Sequence, residues 1–211
     1  MEITWYGHAC FRLAERGLST VITDPYDPSL LTGAAPRLKG DIVLSSQDGP
    51  LANALERVEG SPHRINGAGE YEIGGVFITG IQDGKPGGPR STLYVMDFDG
   101  ITIAHLGGLS RVPTQSEIEA IGPIHVALMP VGGNDSLTAA KAAEIIPMLE
   151  PNIVIPMVYQ IPHSALLYEP LAKFLKEMGI TEIETSTSFK FNGTAALPEE
   201  TRLVILDPQA G

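Results

Sequence analysis

The chain has 211 residues, with 43% apolar and 18% charged side chains, and its 25 acidic against 14 basic residues give a formal charge of −11. That length suits one well-packed domain over residues 1–211. An acidic balance without a basic patch excludes the electrostatic attraction on which nucleic-acid binding rests; no apolar run reaches the roughly 18 residues of a spanning helix, and the single cysteine, Cys10, excludes an internal disulfide.

No basic leader with an apolar core precedes the first strand pattern, so a soluble, cytoplasmic protein is expected, with no membrane partner. Short β-type runs at 3–6, 10–13 and 20–23, split by Gly7-His8 and Arg16-Gly17, read as a meander. Cys10 lies within the second run, where its default role is that of a small buried hydrophobe. Asp24-Pro25 ends the third run, and a Pro- and Gly-rich loop extends to about residue 40. A buried strand is expected at 42–44. The segment 50–58 (PLANALERV) reads as a short helix with Pro50 at its first position, where the missing N–H costs little.

Residues 62–106 return to β, with strands expected at 63–65, 70–73, 76–81, 92–98 and 101–106, a loop at 83–90, and a tight hairpin at Asp99-Gly100. The second half alternates helix and strand. Thr114 and Glu117 stand at capping-box spacing and open a helix to about Ile121. Strands follow at 125–129 and 153–157, with a helix at 138–149 whose Ala142, Ile145, Ile146 and Leu149 share one face. A helix is expected at 164–178, stopped by Gly179, then closing strands at 185–191 and 203–206. A meander joined to βαβ units predicts an α+β fold in which two mixed sheets pack face to face with helices outside.

The polar turn Ser45-Ser46-Gln47-Asp48-Gly49, between the strand at 42–44 and the segment that follows, is the prime candidate for chemistry, because α/β proteins open their crevices at the carboxyl ends of strands. Ser46 lacks both a Gly-x-Ser-x-Gly context and an assignable base, which speaks against a serine nucleophile. His8, in the Gly7-His8 turn, is either a substrate-contacting imidazole or a hydrogen-bonded structural one, the second being the simpler reading. Asp24 before Pro25 caps its turn or orients a neighbouring imidazole. His105, in an apolar strand, reads as structural, and Glu70 and Tyr71 as supports of the sheet. His63, His125 and His163 show no ligand spacing. Gly132-Gly133-Asn134-Asp135 reads as a capped turn before a helix, with an anion cradle as the sharper alternative.

Five segments taken in order resemble the metallo-β-lactamase fold, and within it the small hydrolases related to ascorbate-6-phosphate lactonase. They are Trp5-Tyr6-Gly7-His8-Ala9-Cys10-Phe11, Thr23-Asp24-Pro25-Tyr26, Gly67-Ala68-Gly69-Glu70-Tyr71-Glu72, Leu128-Met129-Pro130-Val131-Gly132-Gly133 and Ile153-Val154-Ile155-Pro156-Met157. The resemblance implies a four-layer αββα architecture. It also implies, for active members, one or two divalent metals that polarise a bound water. In register with that family, the three histidines of its His-x-His-x-Asp/Gly-His segment fall on Gln47, Gly49 and Ala52, and its Asp/Gly position falls on Leu51. The Leu-Gly-Asp carboxylate falls on Gly108, and the histidine of Ile-Pro-Met-His-Tyr falls on Val158. The expectation is a vestigial pocket at His8, Asp24, Ser46, Gln47, Asp48, Gly49, Ala52, Gly108 and Val158. The zinc or manganese site would be lost, with no cofactor and no catalytic residue. The chain would then be a non-catalytic binding or assembly module that engages a protein partner or a second copy. Two alternatives stand beside it: a metal-dependent esterase- or lactonase-type hydrolase with a rebuilt site, and a small-ligand binder using the vacated pocket.

Overall fold

The computed structural model describes residues 1–32, 34–83 and 90–209. Its strands are β1 (Glu2–Trp5), β2 (Phe11–Ala14), β3 (Val21–Thr23), β4 (Leu38–Lys39), β5 (Ile42–Leu44), β6 (Val58–Glu59), β7 (His63–Ile65), β8 (Gly69–Ile73), β9 (Val76–Asp83), β10 (Ser91–Phe98), β11 (Ile101–His105), β12 (Val126–Pro130), β13 (Ile153–Met157), β14 (Thr185–Ser186), β15 (Phe189–Lys190), β16 (Arg202–Leu203) and β17 (Ile205–Leu206). The helices are α1 (Gln115–Ile121), α2 (Ala139–Leu149) and α3 (Leu171–Glu177).

Two mixed sheets carry the fold. The first is six-stranded, in the order β15-β1-β2-β3-β5-β7, and the second is seven-stranded, in the order β16-β13-β12-β11-β10-β9-β8. Alternation at period two explains why they face each other. Ile3 and Trp5 of β1 and Phe11 and Leu13 of β2 point into one continuous apolar core, where they meet Leu93, Met96, Ile103 and Leu128 of the second sheet. The buried strands β3 and β5 feed both faces of the first sheet. Val21, Ile42 and Leu44 join that core, while Ile22 and Val43 join a smaller cluster with Cys10, Tyr26, Leu38 and Val58 on the opposite face.

On the second sheet β11, β12 and β13 run parallel in register, Ile103 beside Val126 and Val126 beside Ile153. Helices α1 and α2 form the two crossovers between them. The capping box is present: the Thr114 side chain accepts from the Glu117 backbone N–H, and the Glu117 carboxylate accepts from the Thr114 backbone N–H. Thr114→Ala is expected to cost about 1 kcal/mol, measured by denaturant titration. The hairpin at Asp99 (φ 55°) and Gly100 (φ 85°) has both central residues left-handed, as the tightest two-residue turn requires.

Four expectations are corrected. The segment 50–58 is turn followed by a 3-10 turn at Leu55–Arg57, not a helix. The Pro50 carbonyl accepts from Asp27 N and the Ala54 N–H donates to the Pro25 carbonyl, so the neighbouring loop takes the groups a helix would use. The outer face of the first sheet is therefore covered by 3-10 turns and loops. The helix expected at 164–178 is only Leu171–Glu177, because Pro170 is its N-cap and disfavours helical backbone at Glu169. Residues 185–191 break into β14 and β15, which pair with β17 and β1 respectively, and 203–206 likewise divides between β16 and β17. Of the loop expected at 83–90, Asp83 ends β9 and 84–89 lie outside the described residues. Among the described residues no helix is long and apolar enough to cross a membrane.

Candidate functional site

The carboxyl ends of β5, β11, β12 and β13 are followed by the segments that carry Gln47, Gly107, Asp135 and Val158. With the β1–β2 turn these residues enclose a cavity of about 190 Å³. This is the crevice position expected of strand ends.

The β1–β2 turn is made by two left-handed residues, Gly7 (φ 98°) and His8 (φ 49°), and closed by Tyr6 N to Cys10 O at 2.8 Å. A second carbon at Gly7 would stand 3.2 Å from Ile161, so glycine serves both the dihedral and the packing. The His8 carbonyl accepts from Trp5 Nε1 at 3.0 Å and from Val158 N at 3.2 Å, which pins the turn to the core and to the end of β13. The ring is 1% exposed, lines the cavity, and has no hydrogen-bond partner on either nitrogen. Tyr26 lies edge-on at 4.9 Å and Tyr168 at 6.2 Å. Burial pushes the imidazole down from its ordinary value to about 4, so His8 is neutral at pH 7 and offers a free lone pair.

Behind the cavity wall lies a second polar group. Asp24, left-handed at φ 40°, accepts from the Ser46 N–H at 2.7 Å and the Ser46 hydroxyl at 2.5 Å. His105 Nε2 donates to the Ala9 carbonyl at 2.9 Å and stands 3.8 Å from the Asp24 carboxyl. Burial raises the Asp24 carboxyl above the usual range, opposed by His105 and by the Ser46 hydrogen bonds. Gly107 separates this group from the cavity: a side-chain carbon there would be 2.6 Å from His105 Cε1, 2.7 Å from Asp24 Oδ2 and 2.8 Å from Ser46 Oγ.

Of the nine residues of the expected vestigial pocket the cavity brings together four, His8, Gln47, Asp48 and Val158, and Leu51 and Asp135 join them. Asp24 and Ser46 lie behind Gly107, and the fully buried Ser46 hydroxyl is committed to Asp24. Ala52 is buried and Gly49 is a left-handed turn residue (φ 99°), and neither lines the cavity. Gly108 packs against Ser91, whose hydroxyl would be 2.4 Å from an added carbon. Cys10 is fully buried, and its thiol is pushed up by desolvation. His125 Nδ1 accepts from Thr102 N and holds the start of β12.

Sequence reasoning missed Gly107, Ser136 and Tyr168 as cavity residues. It placed Asp135 in a capped turn, and the turn brings this acidic residue into the cavity lining, the opposite of an anion cradle. Val158 is left-handed at φ 54°, a conformation that costs a β-branched residue about 1–3 kcal/mol and that concentrates at functional sites. No Lys or Arg is among the described lining residues. The nearby Arg90 donates to Asp48 at 3.0 Å and to the Ser45 carbonyl at 2.5 Å, so its charge is already engaged.

A beta-lactamase superfamily domain model matches residues 2–158. A Pyrococcus horikoshii protein named a metal-dependent hydrolase is 32% identical over 195 residues, covering 75% of this chain and 84% of its own length. A Natranaerobius thermophilus protein of the same description is 27% identical over 186 residues, covering 75% and 83%. The crystal structure of a proposed Zn-dependent hydrolase of the metallo-β-lactamase superfamily from Thermotoga maritima superposes with a TM-score of 0.82, at 32% identity and 97% coverage of both chains.

These findings overturn two expectations. A non-catalytic pseudo-hydrolase has no support among relatives named as hydrolases, and the expectation of no cofactor fails against relatives named metal-dependent. The donors at the cavity nonetheless do not fit a three-imidazole centre. They are one unpartnered imidazole, the carboxylates of Asp48 and Asp135, and the Gln47 amide. Among the described residues no three His, Cys, Asp or Glu side chains group closely enough to hold an ion. The two mixed sheets packed face to face, the cavity at their strand ends, the model match and the relatives converge: the chain belongs to the metallo-β-lactamase superfamily.

Proposed function

We propose that this chain is a hydrolase that cleaves a small ester, lactone or amide in the His8 cavity. The observation that carries the reading is His8, a residue of the cavity lining whose ring is buried and neutral with both nitrogens unpartnered. A buried polar group without a partner costs about 1–3 kcal/mol, and such groups persist where a ligand or reaction makes use of them.

The chemistry follows from the neutral ring. One His8 nitrogen accepts a hydrogen from a water, whose oxygen attacks the carbonyl carbon. The proton passes to that nitrogen, and His8 then returns it to the leaving oxygen or nitrogen as the acyl bond breaks. Tyr168 and Val158 wall the same space and restrict the substrate's size. The relatives' metal dependence is part of the reading. Because the cavity's donors do not fit a three-imidazole centre, zinc or manganese is supplied in the assay.

The test is steady-state hydrolysis of a panel of small aryl esters, lactones and amides with zinc or manganese supplied, and again in chelator. Turnover of at least one class, falling in chelator, is the expected result. No turnover of any class with either ion overturns the reading.

A further inference from the structure

We propose that the cavity selects substrates bearing a positively charged amine, with Asp135 as the residue that reads the charge. The inference rests on the hydrolase reading and adds the substrate class. Four observations carry it. Asp135 lines the cavity and makes no ion pair among the described residues. The other lining carboxylate, Asp48, already has its cation in Arg90, bound at 3.0 Å.

The remaining two observations concern the walls. Tyr168 and Asp135 both line the cavity, and burial, with the Asp135 charge adding to it, raises the Tyr168 phenol. An ammonium gains from both: Coulomb attraction to the carboxylate and the negative face of the ring. Beside Tyr168, its ring centroid 6.2 Å away, stands His8, 1% exposed and unpartnered, whose neutral nitrogen accepts a hydrogen but cannot neutralise an anion. A phosphorylated or carboxylated substrate would meet the Asp135 carboxylate and no free lining cation. At about 190 Å³ the cavity is also smaller than the spaces that hold drug-sized ligands.

The test is isothermal titration in low-salt buffer containing chelator, with three stable amides of nearly equal size: N-(2-aminoethyl)acetamide, N-propylacetamide and N-acetylglycine. The cationic amide is expected to bind roughly tenfold more tightly than the neutral one, the anion more weakly than both. Asp135→Asn, at an exposed rim position, is expected to weaken the cation roughly fivefold and leave the neutral amide unchanged. Equal binding of the neutral or anionic amide, an Asp135→Asn variant that retains the preference, or no binding of any probe overturns the proposal. The readout needs no turnover. Amine binding without hydrolysis would sink the hydrolase reading alone, and hydrolysis without charge preference would sink this inference alone.

Discussion

Replacing His8 with asparagine is expected to reduce kcat/KM by a factor of about 100 or more, the usual contribution of a side chain that moves the proton. Asparagine is the informative substitution because position 8 is left-handed at φ 49°, a conformation asparagine tolerates, and because the two contacts to the His8 carbonyl belong to the backbone and survive. The same variant should alter the dependence of stability on pH. Burial holds the folded imidazole near 4 against about 6.5 when unfolded, so the unfolded chain binds more protons between those values. Stability from this source is therefore fully present above pH 6.5 and is lost as pH falls towards 4. Between pH 7 and pH 5 the wild-type loss is roughly 2 kcal/mol, and His8→Asn should show a curve flatter by that amount. Denaturant titrations at the two pH values measure it. Parallel curves would mean that the ring is hydrated or paired, and the argument for its chemistry would fail with it.

The second large effect is structural. Gly107→Ala is expected to destabilise the protein by about 3 kcal/mol, which for a chain of this size lowers Tm by roughly 6–12 °C. The added carbon meets three atoms at 2.6–2.8 Å, and none can retreat. His105 is tied to the Ala9 carbonyl, while Asp24 and Ser46 hold each other in a region without solvent. Gly108→Ala is the control. Its added carbon meets only Ser91, at the hydroxyl, and a rotation of that half-buried side chain relieves the contact. Equal losses for the two variants would show that the Asp24–Ser46–His105 group is not the rigid partition described here.

What the sequence made legible, and what it did not, follows from the range of the forces involved. The β-type runs read at 3–6 and 10–13 lie within one residue of the strands at Glu2–Trp5 and Phe11–Ala14, because their pattern is local and another register would expose Trp5 and Phe11. The capping box is local too, and Thr114 and Glu117 sufficed to place α1. The helix expected at 50–58 failed because its backbone groups are claimed by Pro25 and Asp27 across the chain, a competition invisible in the segment itself. The helix expected at 164–178 ignored Pro170, a signal that was available. That error also hid Tyr168, which stands in the loop before α3 and reaches the cavity.

The site itself divides along the same line. Gln47, Asp48 and Val158 were grouped by their register with the resembled family, and all three line the cavity. His8 was read as structural in preference to substrate-contacting, although it stands in one of the five segments that carry the resemblance. Its significance lies in what surrounds it: two tyrosine rings, no hydrogen-bond partner, and an open cavity. The inference from absent histidines to an inactive scaffold went too far, since relatives that share the frame are named as metal-dependent hydrolases.

The most direct test of the account is the pH dependence of kcat/KM for the wild-type enzyme on whichever class it hydrolyses fastest. If neutral His8 is the working group, the rate stays level from pH 8 down to about 5.5 and falls through a midpoint near 4, set by burial of the imidazole. A midpoint near the ordinary imidazole value of about 6.5 would contradict it, assigning the chemistry to a solvated group outside this cavity.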